Sequence, residues 1–284
     1  MLGLAATCAL APPRLALAGG DILAGTLADV ESRLGAKLGA AILDTGSGRS
    51  WSHRSGERFP MCSTFKAMAA GAVLARVDAG QEALGRKIRF TAADLVSHSP
   101  ATKARAGGDG MTLAELCEAA ITQSDNTAAN LILRRIGGPP GLTEFARSLG
   151  DVKTRLDRWE TDLNEALPGD ARDTTTPGAM AASLRALVLG DRLSATSREQ
   201  LAAWLVANRT GDDRLRAGLP KGWRIGDKTG TGDHGTTNDI AVIWPPGRGP
   251  VVAAVYITGT RAPLAERNAG MAEIGRAIAA ALGA

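Results

Sequence analysis

The alternation of apolar and polar positions divides the chain into three zones. Ile22, Leu23, Leu27, Val30 and Leu34 recur at helical spacing, which predicts an amphipathic helix over 21–34. A hairpin follows, with arms at 40–44 and 49–52 around the glycine-bearing turn Thr45-Gly46-Ser47-Gly48. From Ser63 to about Gly190 the pattern is almost entirely helical. One helix starts at Ser63 and ends near Asp78-Ala79-Gly80. A second opens on the capping-box pattern Thr112 to Glu115. A third runs from Asn126 to Ile136 and stops at Gly137-Gly138-Pro139-Pro140. Residues 158–173 are polar and lack periodicity, and loops of that length are usually functional or disordered.

The last third returns to strands at 223–229, 237–244 and 251–258, and closes with a helix over 265–282. Strands from both ends of the chain bracket a helical middle. The expected fold class is α+β, an antiparallel sheet of about five strands flanked by the terminal helices, with an inserted all-α domain. The expected division is a sheet domain from 19–58 and 207–284 and a helical domain from 59–206 that carries the loop 158–173. A cleft should run between them. No internal repeat is apparent.

Composition narrows the function. With 44% hydrophobic and 22% charged residues the chain is globular in type. A formal charge of +4, spread without a basic run, does not point to nucleic acid. No apolar stretch long enough to span a membrane follows the N-terminus. The first residues, ending in Ala16-Leu17-Ala18, read as a secretory signal over 1–18, interrupted by Pro12, Pro13 and Arg14 and lacking a basic start. The three histidines, His53, His98 and His234, are scattered, and Cys8, Cys62 and Cys117 match no zinc spacing. No metal and no cofactor is expected.

Three short motifs carry possible chemistry. Ser63-Thr-Phe-Lys66 places a hydroxyl and an amine one helical turn apart. The helix beyond it, 67–75, is uncharged, so Lys66 is expected to be buried, where desolvation lowers a lysine pKa and lets it take a proton from a nearby hydroxyl. Taken alone, this is as well a capping serine and a snorkelling lysine. Ser124-Asp-Asn126 at a helix start is, alone, an ordinary capping cluster. Lys228-Thr229-Gly230 at a strand end can offer a cation to a carboxylate and let a ligand approach the backbone. The glycine pattern 230–235 matches a dinucleotide fingerprint, but a strand follows it where that motif needs a helix.

In this order the three motifs form the set of serine enzymes that open β-lactams. The chain resembles class A β-lactamases from about Asp21 onward, including the stretches AITQSDNTAANLIL and GDKTGTGDHGTTNDIAVIWP. The resemblance adds Glu160-x-x-Leu-Asn164 in the long loop. It implies that Ser63 forms an acyl-enzyme and that its proton passes to Lys66 directly or to Glu160 through a water. It implies that the backbone N–H groups of Ser63 and Thr231 form an oxyanion hole and that Ser124 relays a proton to the leaving nitrogen. Asn126 would bind the substrate's acylamide. Lys228, Thr229, Gly230 and Thr231, supported by Arg214, would bind its carboxylate. Glu160 and Asn164 would hold the deacylating water, in a loop pinned by Arg158 and Asp173.

The resemblance also implies a secreted, periplasmic bacterial monomer acting on small β-lactams, with antibiotic resistance as the result. His98, Arg214 and Thr231 are similar to those of carbapenem-hydrolysing members. The family's two known disulfide pairings would need cysteines at Gly232 and Ala70, so Cys62 and Cys117 are expected to be free and buried. A penicillin-binding peptidase would share Ser63 and Lys66 but lack the Glu160 and Asn164 water site. A sensor domain that stays acylated would carry an appended signalling or membrane segment.

Overall fold

The computed structural model describes the backbone of residues 15–284 and side chains from residue 22 onward. The leader call thus falls outside the described residues except for the backbone at 15–18, and Cys8 lies outside them. Helix α1 (Leu15–Leu34) is followed by the hairpin β1 (Lys37–Asp44) and β2 (Ser50–His53). A short strand β3 (Phe59–Pro60) leads through a 3-10 turn at Cys62–Thr64 into α2 (Phe65–Asp78). The helical part continues with β4 (Lys87–Ile88), β5 (Met111–Thr112), α3 (Leu113–Thr122), α4 (Asn126–Arg135) and α5 (Gly138–Ser148). Then come β6 (Thr174–Thr175), α6 (Pro177–Val188) and α7 (Ala195–Val206). The chain ends with α8 (Leu215–Gly218), β7 (Arg224–Gly232), β8 (Thr236–Trp244), β9 (Val251–Thr258) and α9 (Leu264–Ala281).

The main sheet has five strands in the order β2-β1-β9-β8-β7, and all its pairings are antiparallel. This is the α+β arrangement that the bracketing strands predict. Both faces of the sheet are covered, which is why its strands read as continuous apolar runs. The pleat sorts them. Val252, Ala254 and Tyr256 of β9 face a core shared with α2, α3, α4 and α6. Val251, Ala253, Val255 and Ile257 face the other way, onto Leu23, Leu27 and Val30 of α1 and Met271, Ile274 and Ile278 of α9.

Two local expectations change. Ser63 lies in the 3-10 turn, not in the first turn of α2, because Cys62 takes a left-handed backbone (φ 45°) that no α-helix contains. The sequence Gly137-Gly138-Pro139-Pro140 ends α4 and also starts α5. Gly137 turns the chain at φ 92°, and the prolines occupy the first turn, where their missing N–H costs nothing. Glycine is also required at Gly141, where a Cβ would lie 1.8 Å from the Ile136 carbonyl oxygen. The capping box at Thr112 and Glu115 forms as predicted.

One ion cluster fixes α1 to the hairpin. Glu31 accepts from Arg54 Nε at 2.8 Å and from the Leu38 N–H at 3.1 Å, and lies 2.8 Å from His53 Nε2. Burial pushes its carboxyl up, but these partners outweigh burial and hold it down at about 2 against an ordinary 4.5. A depressed carboxylate stabilises the fold above its unfolded pKa and loses that contribution as pH falls through the folded value. Glu31→Gln is therefore expected to cost on the order of 1 kcal/mol at neutral pH after solvent screening. The gap to the parent should close between about pH 4.5 and 2. Thermal unfolding across that range measures it; a gap independent of pH would refute the assignment.

Candidate active site

The site lies where the start of α2, the start of α4, the long loop and the edge strand β7 meet. Lys66, on the first turn of α2, is fully buried and is its centre. Its Nζ lies 2.9 Å from Ser63 Oγ, 2.9 Å from the Ser124 carbonyl oxygen and 2.6 Å from Asn126 Oδ1. It also forms a buried ion pair with Glu160 Oε1 at 2.9 Å. Burial lowers the Lys66 pKa, and Glu160 opposes that shift. Ser63 Oγ itself is 3.4 Å from Glu160 Oε1. The hydroxyl thus touches both groups that the sequence offers as its proton acceptor.

Glu160 reaches this point from a loop without periodicity because Asn130 of α4 clamps its backbone. Asn130 Oδ1 accepts the Glu160 N–H at 3.0 Å, and its Nδ2 donates to the Glu160 carbonyl at 2.9 Å. The loop ends are closed by Arg158 Nε and Asp173 Oδ2 at 2.6 Å. Asn164 Nδ2 donates to Glu160 Oε2 at 2.6 Å. Its Oδ1 is buried and makes no hydrogen bond within the protein.

On the opposite wall, Lys228 is fully buried on β7. Its Nζ donates to Ser124 Oγ at 3.2 Å and to the Thr229 carbonyl at 2.9 Å, both uncharged partners. Burial, followed by repulsion from Lys66, pushes its pKa well below the ordinary value. Arg214 donates to the Gly230 and Asn238 carbonyls at 2.9 and 2.6 Å and to Thr231 Oγ1 at 2.7 Å. Gly230 is needed because a Cβ there would lie 2.8 Å from the Met61 carbonyl oxygen. Ser63, His98, Ser124, Asn126, Asn164, Arg214, Thr229 and Thr231 line one cleft of about 320 Å³. It adjoins a wider hollow of about 830 Å³ that shares Asn126, Asn164 and Thr231.

The chain matches the β-lactamase enzyme family model over residues 22–282. It is 54% identical over 256 residues to the β-lactamase AST-1 of Nocardia asteroides, which covers 90% of this chain and 82% of that protein. Among solved structures it superimposes on an ancestral class A β-lactamase at TM-score 0.90 and 64% identity, covering 91% of this chain and 99% of that one. The class A β-lactamase of the last common ancestor of Gram-negative bacteria gives TM-score 0.90 and 62% identity, with 92% and 99% covered. The chain belongs to the class A β-lactamase family.

This class A enzyme brings together every site residue that the sequence singles out. The structure adds residues to which the sequence reading gave no role. Asp125, between Ser124 and Asn126, caps α4 through the Ala128 N–H at 2.8 Å and also accepts the Ala101 and Thr102 N–H groups at 2.9 Å each. It thereby ties the loop bearing His98 to the start of α4. Asn268 of α9 accepts from Arg214 Nε at 3.1 Å. Thr210 lines the cleft, 2.5 Å from Thr229 Oγ1. The only signal for such residues is three-dimensional proximity. Cys62 and Cys117 are free and buried. A Cβ at Gly232 would sit 2.6 Å from Cys62 Sγ, so Cys62 packs directly on a glycine backbone. Among the described residues no cluster of His, Cys, Asp and Glu suits a metal ion, and no helix is long and apolar enough to cross a membrane.

Proposed function

We propose that this enzyme hydrolyses the ring amide of penicillins, cephalosporins and carbapenems through a Ser63 acyl-enzyme. The observation that carries the reading is the join between Ser63, Lys66 and Glu160 in one buried hydrogen-bonded cluster beside a cationic cleft. Ser63 Oγ attacks the lactam carbonyl as its proton leaves to Lys66, the nearer acceptor at 2.9 Å, or to Glu160. The N–H groups of Ser63 and Thr231 stabilise the oxyanion, each such donor typically being worth about 3–4 kcal/mol. Ser124 Oγ accepts from Lys228, and Lys66 Nζ stands 3.4 Å away, so its own proton is available for the leaving nitrogen.

The unpartnered N–H capacity of Lys228, with Thr229 and Thr231, suits the substrate carboxylate. Arg214 donates to Thr231 Oγ1 and so leaves the Thr231 proton free to face the cleft, which supports the carbapenem reading. Asn126 and Gly230 position the acylamide and the backbone, and His98 edges the entrance. Deacylation uses a water that donates to Glu160 and to the orphaned Asn164 Oδ1. The leader over 1–18 exports the chain to the periplasm, where it acts as a monomer without a metal.

The test is steady-state kinetics on benzylpenicillin, cefotaxime and imipenem, with and without EDTA. Turnover of all three, unchanged by EDTA and abolished in Ser63→Ala, is expected. Absent imipenem turnover removes the carbapenem reading. A stable adduct without turnover on any of them would return the site to the peptidase reading.

A further inference from the structure

We propose that Thr210 is a positioning residue that orients the Thr229 hydroxyl proton and thereby sets the cleft's preference for a substrate bearing a free carboxylate. The proposal rests on the reading above that Thr229 binds that carboxylate, and it concerns a residue outside the three motifs. It follows from assigning every proton in one chain of side chains: Arg216, Asp227, Asn208, Thr210 and Thr229.

The backbone fixes the first assignment. The Thr210 N–H is only a donor, and it lies 3.1 Å from Asn208 Oδ1. The Asn208 amide is therefore turned with its oxygen toward Thr210. Its Nδ2 then donates to Asp227 Oδ2 at 2.5 Å, and Arg216 Nη2 meets the other oxygen of that fully buried carboxyl at 2.5 Å. The second assignment follows. Thr210 Oγ1 is 2.9 Å from the same Asn208 Oδ1, which can only accept, so the single Thr210 hydroxyl proton points to Asn208. The third is then forced. In the 2.5 Å contact between Thr210 Oγ1 and Thr229 Oγ1, Thr229 must be the donor.

In the resting cleft the Thr229 proton is thus turned away from the space a substrate enters. Its oxygen presents lone pairs there, which repel a carboxylate. An arriving carboxylate draws the Thr229 proton to itself. Thr210 can then swing its own proton onto Thr229 Oγ1. Asn208 Oδ1 keeps the Thr210 N–H, so no buried acceptor is orphaned. The short Thr210–Thr229 contact survives with its direction reversed, and Thr210 to Thr229 to carboxylate becomes a cooperative donor chain. A neutral ester cannot draw the proton as strongly, so the switch favours free acids.

The experiment compares benzylpenicillin with its methyl ester on the full-length mature enzyme, using Thr210→Val, Thr210→Ser, Thr229→Val and the parent. Val keeps the branched shape and the backbone N–H but removes the hydroxyl. Thr210→Val frees the Thr229 proton for either substrate, so kcat/KM for the ester, which cannot draw that proton in the parent, is expected to rise by on the order of fivefold to tenfold, the worth of one hydrogen bond. The acid, which already draws that proton in the parent, should change by less than about twofold, so the acid-to-ester ratio falls. Deacylation of preformed acyl-enzyme, which on the reading above runs through Glu160, should hold within about twofold. Thr210→Ser should restore the ratio. If Thr229→Val leaves the ratio unchanged, the carboxylate reading of the cleft fails. If Thr229→Val lowers the ratio and Thr210→Val does not, the proton relay alone is overturned. A fall in the ratio in Thr210→Ser equal to that in Thr210→Val would also overturn it, since the methyl and not the hydroxyl would then matter. Thermal unfolding checks each variant, and Thr210→Ala replaces Thr210→Val if the latter does not fold.

Discussion

Glu160→Gln is expected to be acylated by benzylpenicillin and then to stall, with the adduct held on Ser63. The substitution preserves the size of the side chain and the acceptor that meets Asn164 Nδ2 at 2.6 Å. It removes the base that takes a proton from the attacking water, a function typically worth about 10²–10⁴ in rate. Acylation survives for an electrostatic reason. Glu160 raises the pKa of Lys66 and burial lowers it. Removing the carboxylate leaves burial less opposed, so more Lys66 is neutral at a given pH. Neutral Lys66, 2.9 Å from Ser63 Oγ, is the form that accepts the hydroxyl proton. Acylation in the variant should therefore extend to lower pH than in the parent. Intact-protein mass spectrometry should show one persistent adduct, absent in Ser63→Ala. Turnover at the parent rate would remove Glu160 from deacylation.

Much of this site was legible before the fold was known, but unevenly. Ser63 and Lys66 could be paired because a helix makes three-residue spacing into contact. The surprise is that the contact persists although Ser63 sits in a 3-10 turn, held there by the left-handed backbone at Cys62. Lys228 could be placed because β7 ends at the cleft edge. Glu160 was visible only through family resemblance. A carboxylate in an aperiodic loop has no pattern of its own, and what places it is the side chain of Asn130, distant in sequence. Thr210 and Asn208 were invisible for the same reason. Their partners, Thr229 and Asp227, lie on another element, and only folding brings them together. The strands were legible in outline because their apolar runs are long. Helix α5 was not, because glycine and proline mark a helix end and a helix start alike.

Asp125→Ala should be the most destabilising single change near the site, at roughly 3–5 kcal/mol after relaxation, because four donors are left unpaired. The carboxylate is fully buried. It caps α4 through the Ala128 N–H and holds the N–H groups of Ala101 and Thr102 and the Thr102 hydroxyl. None of these donors has a substitute acceptor once the side chain ends at Cβ, and water must enter or the loop must lift. Lifting has a local consequence, because the same segment is joined to α4 by the Asn126 N–H to the His98 carbonyl at 3.0 Å and by Asn126 Nδ2 to the Ser97 carbonyl at 2.9 Å. Asn126 Oδ1 in turn meets Lys66 at 2.6 Å. A loosened loop therefore shifts a partner of the central lysine while Ser63 and Glu160 stay in place. Urea unfolding should show the lower midpoint with an unchanged slope. Well below that midpoint, kcat/KM should fall because Asn126 is displaced, whereas the Glu160-dependent deacylation rate of preformed acyl-enzyme should change little. A variant as stable as the parent would show that Asp125 is not the tie between the loop and α4.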